Sequence, residues 1–248
     1  MSRRPAGVGN AERAWRDWPG FDSLPVIAPE ILVPHGCRAV VVAPRADDET
    51  LGLGGLIYRL LAVGRPILFV AATDRPAGAS LPSRWTPQHK ASEWLPTALR
   101  TLPSPGGVRS TILRSGVQDG ELARIEDDLE WRLRGLILPS DVVLASWRYD
   151  GHPDYEAMGR VASRACAALF TPLVEVPVWT WHWSFPGDRR IPWHRARRVF
   201  LDRTLRARKR LALAESRGRP RTDTGSGGAA LLARYVARFV RPYEIVFV

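Results

Sequence analysis

Short, continuous apolar runs rich in β-branched residues alternate with segments of helical period, and this alternation constrains the fold more than any other feature. Arg38-Ala-Val-Val-Val-Ala43, Pro66-Ile-Leu-Phe-Val-Ala-Ala72 and Asp141-Val-Val-Leu-Ala-Ser146 have no polar residue at alternate positions in their interiors. A strand of that kind is buried on both faces. Weaker strands are expected at Val108 to Leu113, Leu173 to Trp179 and Glu244 to Val248. Between them, helices are expected at Thr50 to Val63, Gln88 to Arg100, Glu121 to Leu138, Pro153 to Phe170, Trp193 to Ser216 and Ala229 to Val240. Strands alternating with helices argue for a mostly parallel sheet with helices on both faces, a single Rossmann-like α/β domain. The domain is expected over residues 36–248, behind an irregular N-terminal extension over residues 1–35 that is rich in Pro, Gly and Trp.

Other classes are excluded by simple counts. An apolar fraction of 45% with 25% charged residues belongs to a globular chain rather than a disordered one. The longest apolar stretch, Leu60 to Ala72, is cut by Gly64-Arg65-Pro66 and falls short of the roughly 18 residues of a membrane span. Two cysteines, Cys37 and Cys166, make neither a disulfide framework nor a cysteine zinc site. Met1-Ser-Arg-Arg-Pro5 is followed by no apolar signal core, so a cytoplasmic location is expected. The net charge of +11 is concentrated, because residues 189–221 hold thirteen Lys/Arg against Asp202 and Glu215. Such a run is an ordinary solvated face or a surface for an anionic partner. Trp193, Ala196, Phe200, Thr204, Ala207, Leu211 and Ala214 recur at steps of three and four, which predicts that this side of the helix docks on the domain.

In an open parallel sheet, ligands sit beyond the carboxyl ends of the strands, where the strand order reverses. Two acidic loops stand at such ends. Ala43-Pro-Arg-Ala-Asp-Asp-Glu-Thr50 leads into Leu51-Gly-Leu-Gly-Gly55, with three consecutive acids where helix capping needs one. Gly52, Gly54 and Gly55 each cost about 1 kcal/mol in a helix, which points to close approach of another backbone or a ligand there. Ser146-Trp-Arg-Tyr-Asp-Gly-His-Pro-Asp-Tyr-Glu156 also opens a helix, and it places His152 between Asp150 and Asp154. Carboxylates and an imidazole suit an oxygen and nitrogen metal site or general acid–base chemistry.

These two loops resemble the PIG-L (LmbE-like) family of zinc-dependent de-N-acetylases. Pro44-Arg-Ala-Asp-Asp-Glu-Thr-Leu-Gly-Leu-Gly-Gly55 matches the family's His-Pro-Asp-Asp-Glu motif, and Asp150-Gly-His-Pro-Asp-Tyr155 matches its Asp-Gly-His-Pro-Asp-His motif. Weaker echoes are Thr73-Asp74, Gln118-Asp-Gly120 and Tyr243-Glu244. The resemblance implies hydrolysis of the acetamide of an N-acetylglucosamine-type sugar. It implies Asp47 as general base, Asp48 as a zinc ligand, His152 as the residue serving oxyanion and leaving group, and Asp154 as its orienting partner. Glu49, Arg148 and Trp181 complete the expected set as substrate-binding residues.

The departures fall on the metal. Arg45 and Tyr155 stand where the family has its two zinc-binding histidines. A guanidinium does not deprotonate, and a phenol of pKa near 10 is a poor ligand. Ser216-Arg-Gly-Arg219 likewise stands where the family has His-x-Ser-Gln after a lysine-bearing helix, here the helix of Lys209. Zinc, the family's cofactor, is therefore expected to bind weakly or not at all, with Arg45 supplying positive charge in its place. Three functional readings stay open. One is an impaired or inactive homologue that still binds an N-acetylated sugar or glycoconjugate. Another is a hydrolase with a rearranged metal site built from Asp47, Asp48, His152 and Asp154. The last is a nucleic-acid or other polyanion-binding protein using residues 189–221.

Overall fold

The computed structural model describes residues 12–45, 48–75, 86–88, 110–118, 120–217 and 236–248. In chain order the elements are α1 (Glu12–Arg16), α2 (Pro29–Leu32), β1 (Arg38–Arg45), α3 (Asp48–Ala62), β2 (Ile67–Arg75) and β3 (Thr86–Gln88). They continue with β4 (Ser110–Gln118), α4 (Glu126–Arg134), β5 (Asp141–Ser146), α5 (Pro153–Leu169), β6 (Leu173–Val176) and α6 (Thr180–Trp183). The last are β7 (Ala196–Phe200), α7 (Arg203–Arg217) and β8 (Tyr243–Phe247). The sheet runs β3-β4-β2-β1-β5-β6-β8-β7. Its centre, β4-β2-β1-β5-β6, is parallel, while β3, β8 and β7 join antiparallel at the two edges.

The continuous apolar runs have the meaning expected of them. On β1, Ala39 and Val41 face one core, with Phe69, Leu144, Val176 and the buried side of α3. Val40 and Val42 face the other, with Leu68, Val143 and residues of α4 and α5 such as Leu129 and Met158. Side chains alternate between the faces of a strand, so a strand covered on both sides is apolar at every position. The described residues of the N-terminal segment join the first core: Trp15, Phe21, Leu24, Leu32 and Val33 are buried. Val26 also bridges Arg198, covering the free edge of β7.

Two expectations about the basic segment are corrected. Residues 193–216 do not form one helix. A 3-10 turn (Trp193–Arg195) leads into β7, which pairs with β8 from Ala196↔Phe247 to Phe200↔Tyr243. The helix begins only at Arg203, where Asp202 Oδ1 accepts the Leu205 N–H at 2.8 Å. The buried side is also the other one. Leu205, Lys209, Ala212 and Leu213 are buried, while Thr204, Ala207 and Leu211 are exposed. A lysine lies inside because Glu244 is there to receive it, at 2.6 Å.

The glycines of the first loop show what approaches so closely. A Cβ on Gly52 would lie 2.6 Å from Val176 Cγ1, and one on Gly55 2.2 Å from Leu201 Cδ2 and 3.2 Å from Glu244 Oε1. They admit neighbouring side chains of the fold. The Glu244 carboxylate then accepts the N–H groups of Gly55 (2.7 Å) and Leu56 (2.8 Å). Gly55→Ala is expected to destabilise the protein by about 1–3 kcal/mol through overpacking. Urea denaturation measures it, and an unchanged midpoint would mean that Leu201 moves aside freely. The expected helix over Gln88 to Arg100 lies, apart from Gln88 in β3, outside the described residues, as do residues 229–235 of the last expected helix.

Candidate functional site

Strand order reverses between β1 and β5, so the loops that follow them open side by side at the carboxyl edge of the sheet. Asp47 lies outside the described residues, and so do the side chains of Asp48 and Glu49. Arg45 ends β1 half-buried, in register with Thr73 of β2.

The second loop is described throughout and is pinned by Asp150. This carboxylate is fully buried. Its Oδ1 accepts the N–H groups of Val178 (2.9 Å) and Thr180 (3.0 Å) and the Thr180 hydroxyl, and its Oδ2 accepts the Trp179 N–H at 2.8 Å. The loop after β5 is thereby stapled to the loop after β6. The staple is completed where Trp183 Nε1 donates to the Asp150 carbonyl at 2.7 Å, across a Gly151 whose φ of 88° suits glycine. Ser146 Oγ donates to the Tyr155 carbonyl at 2.7 Å, tying α5 back to β5.

His152 caps α5, with Pro153 at the first helical position. Its Nδ1 accepts the Asp154 N–H at 3.3 Å, which leaves the proton of the neutral ring on Nε2. The Asp154 carboxylate, itself buried, accepts the Gly120 N–H at 2.8 Å through Oδ2. The His152 ring stacks on Trp179 (centroids 5.0 Å, 27°) and meets Tyr155 edge-on at 5.0 Å. Trp179 in turn meets His182 edge-on at 5.9 Å, and Arg238 Nη1 lies 3.1 Å from His182 Nδ1. The site is thus a row of rings, His152, Trp179 and His182, closed at one end by Tyr155 and at the other by a buried arginine.

Three further expectations meet this geometry. Trp181, expected as a sugar-contacting residue, is 3% exposed; it meets Trp15 edge-on at 5.1 Å and donates Nε1–H to the Pro177 carbonyl at 2.9 Å. It is a core residue. Residues 180–183 form a short helix in which Trp181 meets Trp15 and His182 meets Trp179. Arg148 is held by Glu175 of β6 at 2.7 Å, and Glu175 also takes Arg195 at 3.0 Å. Much of the basic segment is spent on such pairs, with Arg190 on Asp188, Arg198 on Asp22 and Arg208 over the Tyr58 ring. Arg189, Arg203 and Arg210 are exposed.

Trp179 belongs with Trp181 and Trp183 to a tryptophan-lined surface expected near the site, whereas His182 and Arg238 were not among the expected residues. His182 follows β6, a parallel strand beside β5, so the same rule of carboxyl ends would have found it. Arg238 carries no motif and reaches the site only through the tertiary fold.

Two of the three ligand positions that the resemblance implies hold residues other than histidine. Of the ligand positions that the resemblance implies, Tyr155 holds a phenol 2% exposed and packed edge-on against His152 and Trp179 (6.1 Å). Arg45 holds a cation. Among the described residues, no group of three or more His, Cys, Asp or Glu could hold a metal ion.

No family model and no curated protein sequence matches the chain. Solved structures do match in shape. A deacetylase triple mutant of the teicoplanin biosynthetic pathway superposes with a TM-score of 0.52 at 19% identity, over 85% of this chain and 96% of that one. The N,N'-diacetylchitobiose deacetylase of Pyrococcus horikoshii superposes with a TM-score of 0.52 at 18% identity, over 95% of this chain and 88% of that one. Over most of its length, therefore, the chain has the fold of the LmbE-like deacetylases. Among the described residues, no helix is long and apolar enough to cross a membrane.

Proposed function

We propose that this chain uses a deacetylase fold to bind an N-acetylated sugar or glycoconjugate, and that zinc-dependent hydrolysis is impaired or lost. The observation that carries this reading is Tyr155. It occupies a zinc-ligand position of the family motif as a buried phenol boxed in by His152 and Trp179. Even changes outside the ligand set cost about 10- to 100-fold in metal affinity, and here two direct ligands differ. Zinc would supply a polarised acetamide carbonyl and an activated water. In its absence, His152 remains at the carboxyl edge of the sheet, its ring held by the Asp154 N–H and stacked on Trp179. The ring row that includes Trp179 offers apolar faces to a pyranose or a methyl group.

Arg45 stands at the vacated ligand position at the end of β1. In this reading its guanidinium relieves the repulsion that the loop acids would otherwise suffer without a divalent cation. The acids concerned are Asp47 and Asp48.

The test is metal stoichiometry alongside acetate release. The purified protein, dialysed against a mild chelator, is expected to hold far less than one zinc per chain. It is expected to release no acetate from N-acetylglucosamine oligomers while binding them in calorimetry. Arg45→His combined with Tyr155→His is expected to raise zinc occupancy. Near-stoichiometric zinc in the wild type, or acetate release, refutes the loss of hydrolysis. Absence of glycan binding refutes the retained-binding half.

A further inference from the structure

We propose that the N-terminal arm, residues 12–27, braces the candidate site: by gripping Arg241 and Trp181 it holds the Arg238 guanidinium on His182 and locks that imidazole as the Nε2–H tautomer. The arm's grip on Arg241 is specific. Glu12 receives Arg241 Nε at 2.8 Å and Nη2 at 2.7 Å, a paired fork between groups 229 residues apart in sequence. The same guanidinium lies 4.9 Å from the Trp181 ring, 5.2 Å from Phe21 and 5.7 Å from Trp15. Arg241 is 6% exposed, so this cage is closed to water. The arm also holds Trp181 directly, through the edge-on contact with Trp15 at 5.1 Å.

Each gripped residue is tied to one half of the contact in the site. Trp181 precedes His182 in α6 and faces the arm while His182 faces Trp179. Arg241 lies three residues after Arg238, with buried Phe239 between them. Arg238 Nη1 then reaches His182 Nδ1 at 3.1 Å. A guanidinium only donates and does not lose its proton, so Nδ1 must carry the lone pair and Nε2 the hydrogen. Both imidazoles of the ring row are thereby set as neutral Nε2–H donors, His152 by a backbone N–H and His182 by a side chain whose position the arm fixes. A purely structural arm would cover apolar surface and leave the imidazole indifferent to it.

The inference rests on the reading of this ring row as the functional site but not on what binds there. Nitrogen-15 NMR of the imidazoles, with His182 assigned from His182→Gln, reads the tautomer without any ligand. Wild-type protein is expected to show an unprotonated, hydrogen-bond-accepting Nδ1. Arg238→Met is expected to shift that signal towards a mixture of tautomers. Glu12→Ala, in protein whose near-UV circular dichroism stays native, is expected to produce a resolvable part of the same shift. Arg13→Ala, on the exposed side of α1, is expected to produce none. If Glu12→Ala does not fold, Trp15→Phe carries the same expectation. A wild-type signal in folded Glu12→Ala or Trp15→Phe overturns the brace, and a wild-type signal in Arg238→Met removes the contact it depends on. A failed glycan titration touches only the proposed ligand, and an unchanged tautomer touches only the brace.

Discussion

Replacing Glu244 with alanine is expected to lower the stability of the fold by about 3–5 kcal/mol, the usual cost of breaking a buried ion pair from one side. For a chain of this size, that corresponds to a fall in Tm of roughly 10 °C. Glu244 is 4% exposed and serves three donors: Lys209 Nζ at 2.6 Å and the N–H groups of Gly55 and Leu56. Its removal strands a buried lysine and unties α3 from β8. Burial already holds the Lys209 amine below the usual lysine range, while Glu244 pulls it back up. Without Glu244 the amine is lowered further, so the unfolded chain binds more protons than the folded one. The variant should therefore regain stability as pH rises towards the ordinary lysine range. Urea denaturation across that range checks both the size and the slope. A loss below about 1 kcal/mol would mean that the pair behaves as a solvated one.

Asp150→Ala should be comparably severe, at about 3–5 kcal/mol, because a buried donor left without an acceptor costs about 1–3 kcal/mol and this carboxylate serves Val178, Trp179 and Thr180 together. The site should suffer beyond its stability, since the same bonds place Trp179 over His152. Glycan binding is expected to be lost even at temperatures where the variant stays folded. The pH dependence has a definite sign. Burial pushes the Asp150 carboxyl up from 3.8 to about 7, against the pull of its hydrogen-bond donors. A folded pKa above the unfolded one means that the native state keeps its proton longer. The stabilisation is complete below the unfolded pKa and is lost as pH rises through about 7. The wild type should therefore lose stability relative to Asp150→Asn, whose side chain does not titrate, between the unfolded pKa of 3.8 and the folded value of about 7. A flat or opposite difference would show that the donors keep the carboxylate ionised throughout.

The two motif loops were legible in the sequence because their chemistry is local. Asp150-Gly-His-Pro-Asp154 reads directly as a strand end, a turn with a positive-φ glycine, a cap and a helix start, and the structure builds that series. Even there, one partner lies outside the motif. His152 takes its hydrogen bond from the backbone of Asp154, and the Asp154 carboxylate turns to Gly120, a partner 34 residues away.

Short-range pattern by itself determined the layered α/β class, the parallel centre of the sheet and the neighbouring positions of the strands that carry the two acidic loops. A strand covered on both faces must be apolar throughout, and loops after neighbouring parallel strands must open on one edge. Only the tertiary structure decided that β7 is a strand, that α7 buries the side carrying Lys209, that Trp181 is core and that Arg238 reaches His182. Period three and four over residues 193–214 records which residues are apolar, not what covers them. β7 exists because β8 pairs with it, and Lys209 is inside because Glu244, 35 residues later, neutralises it there. Trp181 is buried because the arm folds back over it, bringing Glu12 to Arg241 from the far end of the chain. Each of these outcomes depends on the free energy of a contact between distant segments, and no window of neighbouring residues contains both partners.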